Sequence, residues 1–124
     1  MGLSRIVMRL ARNPGTEFAD GDDHRGYALV APLTADGHLD EHAYGKARSQ
    51  CSVRRFAPDE DATVGVLARR GGLWLFDYGD APDADDEPIY RLGAHRFSVG
   101  EYVAVTDENR RLLTYKVTEV SPVS

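Results

Sequence analysis

The chain has 124 residues, 42% of them apolar and 28% charged, with 12 Gly and 6 Pro, an ordinary globular balance that excludes a disordered or collagen-like chain and fits a single domain over 1–124. Twenty acids against fifteen bases leave a formal charge of −5, so no overall positive field draws the protein to nucleic acid. Cys51 is the only cysteine, which excludes an intrachain disulfide and every CxxC-type metal site and fits a reducing interior.

The N-terminal stretch carries Arg5, Arg9 and Arg12 without an acid, but Ile6-Val7-Met8 is too short for the apolar region of a secretory leader. No stretch approaches eighteen uncharged apolar residues, so a cytoplasmic protein is expected. Leu3 to Arg12 alternates Ile6, Met8 and Leu10 against Val7, Arg9 and Ala11, which predicts a strand with one buried face. Asn13-Pro14-Gly15 ends it, and the acidic stretch from Thr16 to Arg25 reads as a loop. Gly26 to Leu33 is a mostly apolar strand whose Pro32 belongs at a sheet edge or a strand terminus. Asp36-Gly37 turns the chain.

Asp40 precedes Glu41, and Leu39, Ala43, Ala47 and Cys51 recur every four residues. The spacing predicts one helix over about 40–51, capped by Asp40. Gly45 inside it costs about 1 kcal/mol relative to Ala, so packing has to hold the helix. Beyond it the period returns to two. Ser52 to Phe56, Thr63 to Ala68, Leu73 to Tyr78, Tyr102 to Thr106 and Leu112 to Val120 all read as strands, with hairpin signals at Arg70-Gly71-Gly72 and Asp107 to Arg110. Gly79 to Pro88 is expected to be a long exposed acidic loop, with ordered chain resuming at Ile89 and Tyr90. Leu73 to Tyr78, apolar on both faces over its first four residues, reads as the central strand. Strands joined by hairpins predict a mainly β fold, an antiparallel sheet rolled into a small barrel, with the helix over one open end or edge.

The segments Ala31-Pro32-Leu33, Cys51 to Phe56, Gly71 to Phe76 and His95 to Val103, the last reading His-x-Phe-x-x-Gly-Glu-Tyr-Val, give a pattern that resembles a small uncharacterised bacterial family. The resemblance spans most of residues 26 to 118. It implies a shared domain and carries no activity, substrate or cofactor.

Three constellations carry chemistry on paper. His38 and His42, with Cys51 or His95, offer nitrogen and sulfur ligands to zinc; because a cap at Asp40 places one histidine before the helix and one inside it, they need not share a face. No metal or cofactor is therefore expected. Cys51 with His95 matches no local nucleophile signature, and its place at a helix C-terminus raises a thiol pKa, so a buried structural thiol is expected. Asp85, Asp86 and Glu87, followed by Arg91 and His95, offer carboxylates for a cation or a general base, but adjacent loop residues seldom converge and a solvated acidic loop is the simpler reading.

Recognition is the stronger prospect. Thirteen of the fifteen bases are Arg, suited to carboxylate and phosphate, a bias that a genome rich in G and C also produces. Lys46, Arg48, Arg54, Arg55, Arg69 and Arg70 form a basic run, and Tyr44, Phe56 and Trp74 lie near enough in sequence to offer stacking surfaces. Alternation puts Arg54 and Arg55 on opposite faces. The leading expectation is a non-enzymatic β-barrel binding module for a protein or small anionic ligand, contacted by Arg54, Arg55, Arg91 and His95 in one shallow concavity. The alternatives are a small hydrolase or metal-assisted enzyme using His95 with Asp86 and Glu87, and a single-stranded nucleic-acid binder, which the net charge disfavours. A homodimer formed through an exposed edge at Leu3 to Leu10 is a further expectation.

Overall fold

The computed structural model describes residues 2–70, 73–78, 87–88, 95–106 and 111–123. In chain order the elements are β1 (Leu3–Leu10), β2 (Asp22–Ala31), α1 (Glu41–Ala47), a 3-10 turn (Arg48–Gln50), β3 (Ser52–Ala57), β4 (Glu60–Arg70), β5 (Leu73–Asp77), the two-residue β6 (Glu87–Pro88), β7 (Tyr102–Thr106) and β8 (Leu112–Val123). The strands form one antiparallel sheet in the order β6-β5-β4-β3-β2-β1-β8-β7. The rolled, mainly β architecture, with one short α-helix among the described residues, is thus as the sequence pattern predicts.

The sheet curls on itself, and a ring contact demonstrates it. Tyr27 on β2 and Phe76 on β5 are three strands apart, roughly 14 Å across a flat sheet, yet their ring centroids lie 4.9 Å apart. Tyr115 on β8 closes on Tyr27 from the other side at 5.1 Å. The two ends of the sheet, β6 and β7, also approach each other. Inside the curl lie Ile6, Met8, Leu10, Leu29, Val53, Leu67, Phe97, Val103, Val105, Leu113 and Val117, none more than slightly exposed. The strand residues among them alternate along their strands, which is why period two predicts them.

α1 is fastened to β4 and β5. Asp40 caps it by accepting the Ala43 N–H at 3.0 Å. Tyr44, the buried residue of α1, stands edge-on to Trp74 at 4.9 Å and donates its hydroxyl to the Leu67 carbonyl at 2.8 Å. Arg69 lies over the Trp74 ring and pairs with Glu41. Packing therefore holds this seven-residue helix, as its Gly45 requires.

Several expectations need correction. β1 is interior, paired with β2 on one side and β8 on the other, so it offers no free edge to a second copy. β5 is not central: it is next to last, flanked by β4 and the short β6. Its rings are buried by the curl instead, and Leu75 on its opposite face is buried as well. β2 starts at Asp22, inside the stretch read as a loop, because Leu10 needs a ladder partner after the register slips between Arg9 and Leu10. Gly21 makes that entry with φ +78, where a Cβ would press on the Leu10 carbonyl at 2.8 Å. The reading of Ile89 and Tyr90 as ordered chain, both hairpin tips and most of the acidic loop lie outside the described residues. No helix among the described residues is long and apolar enough to cross a membrane.

Candidate functional site

Of the residues expected to share one concavity, the structure separates Arg54 from Arg55. Arg54 points outward and is exposed, between Ala28 and Val64 in the ladders. Arg55 shares the face of Val53, opposite Tyr27, with its guanidinium 4.9 Å from the Tyr78 ring. The two arginines therefore leave β3 on opposite faces. His95 is half-buried just before the buried Phe97, whose N–H donates to the Gly37 carbonyl at 2.8 Å. Arg91 and Asp86 lie outside the described residues, as does the side chain of Glu87.

The other sequence candidates resolve into structural roles. Cys51 is wholly buried, its Sγ 3.4 Å from the Ala47 carbonyl, and burial pushes its thiol pKa up. A thiolate nucleophile needs the opposite environment. His38 lies 3.3 Å from the Asp36 carboxylate, which the Thr34 hydroxyl and His38 hold below its usual range. Among the described residues no three His, Cys, Asp or Glu side chains are placed to hold a metal ion. Tyr44 and Trp74 are buried against each other, so neither is available as a stacking platform. Arg69 is committed to Glu41 and Trp74.

A different set of residues does converge. Past the end of β1, a groove of about 530 Å3 is lined by Arg9, Arg12, Lys116, Tyr102, Asp20 and Asp23. Its position follows from two irregularities in β1. A register slip between Val7 and Met8 against β8 brings Arg9 opposite Lys116, and the slip at Arg9 against β2 opens the strand end. Arg9 is then fixed by donating to the Asp23 carbonyl at 2.7 Å. Lys116 faces Tyr102 on β7, a residue that is 55% exposed. Three cations meet two carboxylates, so the groove is locally positive on an acidic protein.

A second groove of similar size lies at the other end of β1, between Thr34, Asp36, Arg96 and Val120. It is shallower and holds one cation against one acid, so it offers an anion no net attraction.

The sequence pattern contained the components of the first groove without their assembly. Arg9 and Lys116 occupy outward positions in alternating strands, a signal visible by inspection. Their juxtaposition depends on the β1–β8 register, which the slip between Val7 and Met8 sets.

No protein-family model, curated protein or solved structure matches this chain. The likeness of residues 26 to 118 to a bacterial family gains no support from those comparisons.

Proposed function

We propose that this protein is a non-enzymatic binding module for a small anionic ligand, held at the end of β1 by Arg9, Arg12 and Lys116. The observation that carries the reading is their convergence on one groove of about 530 Å3, a volume in the range of small-molecule sites. Arg9 and Arg12 offer planar donor forks to phosphate or carboxylate, and Lys116 adds a compact charge. Asp20 and Asp23 also line the groove and offset two of its three cations. The groove has a rigid floor because Leu10 is a core residue.

Calorimetric titration with inorganic pyrophosphate at low ionic strength tests the reading. Saturable binding is expected, weakened at least tenfold by the double change Arg12→Ala and Lys116→Ala and weakened further by added salt. An unaltered circular dichroism spectrum of the double variant would show that the fold is intact. Absence of binding at millimolar pyrophosphate, or equal binding by the double variant, overturns the proposal.

A further inference from the structure

The ladder partners of Arg9 extend the groove into a longer feature. Tyr102 on β7 is opposite Lys116 on β8; Lys116 is opposite Arg9 on β1; Arg9 is opposite Gly26 on β2; and Gly26 is opposite Phe56 on β3. These five residues form one continuous row across five strands. Since Met8 and Val117, the neighbours of Arg9 and Lys116, are buried inside the curl, alternation places the row on the outer face. Its order is aromatic, cation, cation, glycine, aromatic.

Each member has a physical role. The exposed Tyr102 presents a ring at one end. Phe56 presents the other, with the Arg9 guanidinium 5.5 Å from its centroid, so the platform there is a ring backed by an arginine plane. Gly26 contributes no side chain between Arg9 and Phe56, so the Arg9 side chain can lie across it to reach Phe56. It is required to be glycine, because a Cβ at that position would run into the Met8 carbonyl oxygen. Four strand spacings separate the two rings, roughly 19 Å along the row, a span longer than one mononucleotide.

Two π-faces flanking a pair of cations match a chain whose bases stack while its phosphates lie between them. We infer that the anion of this site is the backbone of single-stranded nucleic acid, with bases stacked on Tyr102 and on the Phe56–Arg9 platform and phosphates at Lys116, Arg9 and Arg12. This rests on the anion-binding reading and names its ligand. Base edges meet no array of directed donors in the row, so stacking without sequence selection is expected. With only three cations the salt dependence is shallow, a slope near −2 in log K against log salt for about 0.7 counterions released per contact.

The test compares three fluorescein-labelled probes of twelve units by anisotropy: oligo-dT, an abasic strand of the same length, and a duplex. Oligo-dT is expected to bind more tightly than the abasic strand and the duplex. Tyr102→Ala should weaken oligo-dT roughly five- to a hundredfold and erase its advantage over the abasic strand, whereas Tyr102→Trp should retain it. Phe56→Leu, which keeps an apolar side chain while removing the ring, should act in the same direction as Tyr102→Ala. If oligo-dT and the abasic strand bind equally, or Tyr102→Ala preserves the difference, the nucleic-acid inference is overturned. Pyrophosphate binding that is lost in the Arg12 and Lys116 double variant would still uphold the anion-binding reading in that case. Failure of every probe, pyrophosphate included, removes both.

Discussion

The carboxamide of Asn13 pairs with both backbone groups of Thr114, accepting its N–H at 2.9 Å and donating to its carbonyl at 3.1 Å. The same amide nitrogen donates to the Ala11 carbonyl at 2.9 Å. The Ala11 backbone N–H donates to the same Thr114 carbonyl at 3.0 Å, and the Asn13 side chain extends this β1–β8 pairing beyond the last residue of β1. Asn13 is itself only 8% exposed, so these bonds are largely shielded from solvent.

Asn13→Ala should therefore destabilise the protein by about 0.5–1.5 kcal/mol, the net worth of a hydrogen bond to a part-buried N–H. Asn13→Asp should not rescue it at neutral pH, since a carboxylate there would face two carbonyl oxygens. Urea unfolding midpoints measure both; a wild-type midpoint for Asn13→Ala would show that the ladder closes without this amide.

The glycines at 26 and 45 make opposite predictions from the same change. Gly26→Ala drives a Cβ into the Met8 carbonyl, and β1 cannot retreat because it is paired on both sides. A loss of about 1–3 kcal/mol is expected, the range for overpacking. At Gly45, on α1, a Cβ meets nothing within 4 Å, so Gly45→Ala should stabilise by about 0.4–1 kcal/mol. Thermal unfolding of the two variants should move in opposite directions.

Cys51 should be inert in the native protein. Its thiol is fully buried and its pKa is raised by desolvation, so a disulfide reagent at mildly alkaline pH should label it only when the core opens. The labelling rate should rise with denaturant in step with unfolding. Fast stoichiometric labelling without denaturant would contradict the packing described for the α1 end of the sheet.

Arg111 donates to the Glu17 carboxylate at 2.6 Å and lowers its pKa from the usual value of about 4.5. The folded carboxyl thus gives up its proton more readily than the unfolded one. Its stabilising contribution is present above pH about 4.5 and fades as pH falls through the folded value. An NMR titration should place the Glu17 midpoint below 4.5 in the native protein and return it toward that value in Arg111→Ala. An unchanged midpoint would mean that the pair is not formed in solution.

The strands were legible because burial on one face imposes period two: Ile6, Met8 and Leu10, or Val103 and Val105, declare an inner face before any partner is known. The helix was legible through Asp40, whose carboxylate caps the first turn. The site was not. Arg54 and Arg55 stand adjacent in sequence and look like one charge cluster, yet β geometry sends them to opposite faces. Arg9 and Lys116 stand near opposite ends of the chain, and they face each other across two paired strands.

From its residues alone, this protein's alternating apolar positions and its turn residues determined a rolled antiparallel sheet with one capped helix, since those signals act between near neighbours. Tertiary structure decided that β1 is interior, that Trp74 and Tyr44 serve the core, and that Tyr102, Lys116, Arg9, Gly26 and Phe56 form a row. The physical reason is that strand order and register are fixed by long-range pairing, and one slip of a residue changes which side chains meet.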